Sequence, residues 1–250
     1  MVEKYDNKEF VNNILRFKGG FIMPRCWSLS KSEDVDSSIK SLNLPFPIVA
    51  KPIRGRGSYG VKVCHSEKEL IVHIKFLFKD SPSIIIEEFL EGGEATVSVM
   101  APSEEIPKYW AMPIVTRFNH VNGIAPYNGT VAVTANSRVV SREKYAEDPA
   151  YDEARRQCEE VAQLLRVTAP IRIDIRRFKN GASSRFALFD INMKPVRFSM
   201  AISFLTPRPA RDPSADFLEH DRSWPAWSRK SGQPHRIVSC GTGMGLSKAP

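Results

Sequence analysis

Arg172, Asp174, Asp190 and Asn192 are residue types that together hold phosphate and a hard metal ion. In "IRIDI", Arg172 and Asp174 fall on one strand face by period two, and in "LFDIN" Asp190 and Asn192 do likewise. If these strands pair through the turn "KNGAS", two carboxylates, an amide and a guanidinium converge on one patch. Carboxylate and amide oxygens suit Mg2+, with Mn2+ as a substitute, and Mg2+ keeps several waters while bridging substrate phosphates. Ile171, Ile173, Ile175, Leu188 and Ile191 supply a face to bury, which turns the polar set toward a cleft. The same residues also suit a charged, solvent-facing hairpin.

A second group lies in "PFPIVAKPIRGRGSYGVKV", residues 45–63. A strand ends at Lys51, a basic turn carries Gly55, Gly57, Ser58 and Gly60, and another strand follows. Glycines let backbone N–H groups approach phosphate oxygens, and the lysine adds a point charge. No GK[ST] closes the turn and no helix follows it, which excludes the Walker A and Rossmann phosphate loops. An ordinary basic hairpin is the other reading. The third group is "IIIEEFLEGGEATV", where a buried strand ends in Glu87 and Glu88 and passes Leu90 and two glycines to Glu94. That form suits a hinge between lobes, with backbone around Glu88 and Leu90 facing an adenine edge and Glu94 reaching ribose hydroxyls. It also suits a strand end with solvated acids.

The elements that must position these groups follow from periodicity. Helices are expected over "NKEFVNNILRFKG", with Phe10, Ile14 and Phe17 at helical spacing and a glycine stop. Others are expected over "SEDVDSSIKSL", capped by Ser32, over "SEKELIVHIKFLF", capped by Ser66 with Glu69 in the capping box, and over residues 151–166. Strands are expected at "CWSL", "IVAKPI", "GVKVC", "SIIIEEFL", "EATVSVM", "KYWAMPIVTR", "PIRIDIRRF" and "RFALFDIN". From Val196 onward, six prolines and no sustained period predict an irregular tail.

With 250 residues and 42% hydrophobic content the chain can bury a large core, and a net charge of +8 calls for an anionic partner. No RNP, helix-turn-helix or zinc signature supports nucleic acid as that partner. Four scattered cysteines indicate neither a zinc site nor a disulfide framework, and no apolar stretch is long enough to cross a membrane. A soluble, cytoplasmic protein is expected.

The three groups in this order, preceded by "EKYDNK", resemble the ATP-grasp superfamily, in particular its D-alanine–D-alanine ligase branch, over about residues 3–195. The resemblance implies an α+β fold in which two lobes with antiparallel sheets grip ATP: residues 1–90 a small lobe with the phosphate flap, residues 91–195 a large lobe with the metal site, and residues 196–250 a tail. It implies Lys4 and Lys51 on nucleotide phosphate, and Gly55, Gly57, Ser58 and Gly60 as the mobile flap. It further implies Glu87, Glu88 and Leu90 at adenine, Glu94 at ribose, Arg172 at the transferred phosphoryl group, and Asp174, Asp190 and Asn192 on Mg2+. Arg172 and Lys51 are the implied catalytic residues.

The implied activity is ATP-dependent joining of a small carboxylate to an amine, such as two amino acids, through an acyl phosphate. The alternative is an ATP-binding remnant or regulatory module. Related ligases are often homodimers. Asp190 stands where the branch usually has glutamate, and the loop from Thr116 to Gly129 offers Arg117 and His120 where a further phosphate lysine is expected. The chain begins at the first nucleotide lysine, which predicts that the branch's N-terminal domain is missing. The abrupt change at Val196 predicts intron sequence read into the frame, an idea removed by a transcript that runs uninterrupted across Pro195 and Val196.

Overall fold

Asn7 starts the first helix, α1 (Lys8–Lys18), its side-chain oxygen accepting from the Phe10 N–H at 3.0 Å. The helix stops at Gly19, whose φ of 73° suits a residue without a β-carbon. Its buried face is Val11, Asn12 and Leu15, with Phe10 and Ile14 partly buried beside it. Phe17 is 97% exposed, so the predicted stripe is turned by about one residue. The computed structural model describes residues 5–55, 57–125, 135–182 and 184–193. Lys4 and the tail 196–250 lie outside the described residues.

Next come β1 (Cys26–Ser30) and α2 (Val35–Ser41), whose cap is Asp34, accepting from the Ser37 N–H, rather than the expected Ser32. The Ser32 hydroxyl instead lies 3.1 Å from that of Ser30. Then follow β2 (Ile48–Pro52), β3 (Lys62–Cys64), α3 (Glu67–Leu77) and β4 (Ser83–Glu88). Ser66 caps α3 as expected, accepting from the Glu69 N–H, while the Glu69 carboxylate reaches back to the His65 N–H at 3.0 Å. These strands form an antiparallel sheet in the order β1-β4-β2-β3. Its core joins Ile48, Ile84 and Ile86 to Ile39 of α2 and to Leu70 and Ile74 of α3.

A second sheet is built from β5 (Glu94–Met100), β6 (Trp110–Ala111), β7 (Val115–Arg117) and β8 (Ser137–Val139), then β9 (Ile171–Arg177) and β10 (Phe186–Asn192). Between β8 and β9 the chain forms α4 (Arg142–Glu147) and α5 (Pro149–Leu164). The order is β10-β9-β5-β7-β8, with β6 on β5, antiparallel throughout. Helix α5 begins two residues before the expected 151, because Asp148 caps it and Pro149 takes its first position. The expected strand at 108–117 divides into β6 and β7, with Pro113, which has no N–H for a ladder, between them. Cys158, Val161 and Ala162 of α5 and Leu15 of α1 pack against Val97, Ile171, Ile173 and Ile175. The fold class is α+β with antiparallel sheets, as the sequence predicts. Among the described residues no helix is long and apolar enough to cross a membrane.

The chain passes from one sheet to the other at Gly92 and Gly93. A β-carbon on Gly92 would lie 2.3 Å from the Lys179 carbonyl oxygen and 2.6 Å from the Arg177 β-carbon, so backbone of the turn after β9 fills the space a side chain needs. Gly92→Ala is expected to lower stability by about 2–3 kcal/mol, read as a shift of the urea unfolding midpoint at constant slope.

Candidate active site

Alternation along β9 sends Ile171, Ile173 and Ile175 into the core and Arg172, Asp174 and Arg176 to the other face. Register then sets three rows across the second sheet. Arg117 of β7 and Arg176 of β9 flank Glu94 of β5. Thr96 and Asp190 flank Asp174, and Ser98 and Asn192 flank Arg172. Arg172, Asp174, Asp190 and Asn192 thus meet on one face.

The arrangement on β10 has a cause that period two alone does not provide. Leu188 and Asp190 have the same parity, yet Leu188 is buried opposite Ile175 and Asp190 lies opposite Asp174. A register shift between them, with Phe189 as the extra residue, turns one inward and the other outward. The Phe189 carbonyl at this bulge accepts from Lys51 Nζ at 3.0 Å.

Asp174 and Asp190 face each other across the strand pair, where like charges repel. Arg172 Nη2 holds Asp174 at 2.9 Å and the Thr96 hydroxyl donates to it at 3.1 Å. Lys8 Nζ, at the start of α1, holds Asp190 at 2.5 Å. Burial pushes the Asp174 pKa up, against the pull of Arg172 and with a further push from Asp190 and Glu94. For Asp190 burial also pushes up, but Lys8 and Lys51 together outweigh it and hold the group below the ordinary carboxylate range.

Lys51 comes from the first sheet. Its ammonium is 2.6 Å from Glu87 Oε2, with side-chain exposures of 5% and 4% for the pair. Asn12, one turn beyond Lys8 on α1, donates to the other Glu87 oxygen at 3.4 Å. Burial alone would lower the Lys51 pKa, whereas Glu87 and Asp190 hold it above the usual lysine value. Lys51, Glu87, Asp190 and Lys8 therefore form one connected cluster joining α1, the first sheet and the second.

The other predicted residues lie around this cluster. Glu88 accepts from Arg25 at 3.3 Å at a more exposed position, and Leu90 is buried just after β4. Glu94 accepts from His120 Nε2 at 2.9 Å and lies 3.7 Å from Arg176 Nη1. Gly55, Gly57 and Ser58 are exposed in the turn between β2 and β3; Gly57, Ser58 and Gly60 have φ of 64°, 60° and 71°. The Gly60 carbonyl is tied to His73 of α3 at 2.9 Å.

Sequence reasoning missed Lys8 and Asn12. "EKYDNK" offers two lysines, and the signal for the second is the capping Asn7 beside it: a side chain at the first helical position extends past the helix end, here onto Asp190.

Among the described residues no group of three or more His, Cys, Asp and Glu side chains gathers round one point. A cation here would rest on two opposed carboxylates and the Asn192 amide, with water and phosphate completing its shell. That oxygen donor set fits Mg2+, and a divalent ion would relieve the Asp174–Asp190 repulsion.

Solved structures share this fold. The D-alanine–D-alanine ligase of Bacillus anthracis complexed with ATP superposes with a TM-score of 0.56 at 20% identity, over 77% of this chain and 54% of that one. The VanG D-Ala:D-Ser ligase of Enterococcus faecalis gives 0.59 at 17% identity, over 77% of this chain and 53% of that one. The fold is that of the ATP-grasp ligases. The family described as "D-ala D-ala ligase C-terminus" matches residues 20–201, and the chain belongs to it. The curated D-alanine–D-alanine ligase A of Bacillus cereus is 34% identical over 95 residues, which are 38% of this chain and 31% of that protein. The chain therefore spans about a third of that relative's length and about half of the solved ones.

Proposed function

We propose that this chain is the nucleotide-binding part of an ATP-dependent carboxylate–amine ligase acting in the cytoplasm. The observation that carries the reading is the cluster in which Lys8 holds Asp190 and Lys51 reaches the neighbouring Phe189 carbonyl, beside Arg172, Asp174 and Asn192. Two ammonium groups and a guanidinium suit the charge of a triphosphate, and Asp174, Asp190 and Asn192 suit the Mg2+ that accompanies it. The reaction is transfer of the γ-phosphoryl group to a carboxylate oxygen, giving an acyl phosphate and ADP, followed by amine attack that forms the amide and releases phosphate. Mg2+ would draw charge from the phosphate oxygens. Lys51 and Lys8 would hold the phosphates in place, and Arg172 would face the group in transfer. Glu87, Glu88 and Leu90 border the base side and Glu94 the ribose side, with Gly55, Gly57, Ser58 and Gly60 as the flap. The names of the relatives make D-alanine the first substrate to test, and a homodimer is the assembly to look for.

The purified protein incubated with Mg-ATP and a panel of amino acids is expected to release ADP and phosphate, and Mg-ATP alone is expected to raise its melting temperature. Asp190→Ala should lose that rise. Stabilisation with no turnover on any substrate would leave an ATP-binding remnant, and no stabilisation at all would overturn the site.

A further inference from the structure

His120 is assigned no role by the reaction above, yet the fold goes to some length to present it. It sits on a short excursion after β7. Phe118 N–H donates to the Asn136 carbonyl at 3.0 Å and the Asn119 side-chain amide donates to the Ala135 carbonyl at 2.8 Å. Val121 and Ile124 exchange backbone hydrogen bonds at 2.9 and 3.0 Å around Asn122 and Gly123. Asn119, Asn122 and Gly123 all have positive φ, at 57°, 50° and 78°, the residue types that tolerate it best. Arg176 donates to the Gly123 carbonyl at 2.6 Å and to the Gly92 carbonyl at 3.0 Å, its guanidinium 4.9 Å from the Phe89 ring centre. These contacts pin the excursion without help from the imidazole.

Glu94 needs an external hold. Arg117 and Arg176 flank it across the sheet, and each attracts its carboxylate. A carboxylate that turned to chelate either guanidinium would spend both oxygens on it. His120 Nε2 meets Oε2 at 2.9 Å, the same oxygen that Arg176 approaches at 3.7 Å, so both contacts fall on one oxygen of the carboxylate.

We infer that His120 is a positioning residue for ribose recognition, holding Glu94 so that one carboxylate oxygen accepts from the hydroxyls of a bound nucleotide. The inference rests on the nucleotide reading of the site. The readout is therefore a ratio: the dissociation constant of 2′,3′-dideoxy-ATP over that of ATP, both with Mg2+, by calorimetry on the full chain. Wild type should prefer ATP. His120→Phe, which keeps a ring and loses the donor, should shrink the preference about tenfold with dideoxy-ATP affinity unchanged, and His120→Gln, which restores an N–H donor, should regain most of it. Should His120→Phe lower the melting temperature, His120→Ala takes its place. In a Glu94→Gln background, exchanging His120 should change nothing further. A preference that survives both donor-free variants, or losses that add in the Glu94→Gln background, would overturn the inference while leaving the nucleotide site intact. Failure of wild type to bind either nucleotide would overturn both.

Discussion

Lys51→Ala is expected to cost about 3–5 kcal/mol of folding stability and to abolish the melting shift produced by Mg-ATP. The stability loss arises because the Glu87 carboxylate loses its ammonium partner in a site where its side chain is 4% exposed, and the Asn12 contact that remains is longer. A buried ion pair does not stabilise much in itself, but removing one partner strands the other. Lys51→Met combined with Glu87→Leu should therefore recover most of the stability without recovering nucleotide binding. Urea unfolding and thermal shift with and without Mg-ATP separate the two effects. A shift that persists in the double variant would remove Lys51 from the site. The linkage runs in the lysine direction: a folded pKa above the ordinary value contributes stability that is whole below that value and is lost as pH rises through the folded one, so this pair weakens only in strongly alkaline solution.

The second large effect lies on the opposite face. Arg177 follows three isoleucines on the core side of β9 and is 6% exposed. Its guanidinium lies 4.1 Å from the Phe186 ring centre and 5.2 Å from that of Tyr151. It pairs with Asp148, the cap of α5, and donates to the carbonyls of Ala182, at 2.8 Å, and Ser184. Arg177→Met is expected to cost about 3–5 kcal/mol, because the Asp148 carboxylate stays buried without its partner. Adding Asp148→Asn should return part of the loss. Below its melting temperature the variant should bind Mg-ATP with wild-type affinity, since this cluster is separated from the cleft by the sheet itself; a matching loss of affinity would contradict that separation.

Much of this architecture is legible because local signals and burial agree. Strict alternation in "IRIDIRR" assigns Arg172 and Asp174 their face, Ser66 and Glu69 mark the start of α3, and Gly19 marks the end of α1. What escapes has physical reasons. A bulge changes parity without changing composition, so the opposite orientations of Leu188 and Asp190 appear only once β10 is paired with β9. Lys8 and Asn12 lie on a helix whose apolar pattern is diluted by the polar residues that face the cleft. Strand β8 is three residues long, too short for period two to stand out, and α4 buries none of its residues. Arg177 continues an apolar series, and only the aromatic pair around it and the cap of α5 explain a guanidinium there.

The uneven count on β10 separates two jobs that a strand usually combines. Excising Phe189 would restore one-to-one pairing with Leu188 still opposite Ile175 and the aspartate still opposite Asp174. The extra residue is thus dispensable for strand alignment. Its contribution is a carbonyl at the bulge, an acceptor by which the large sheet takes hold of a lysine belonging to the small one.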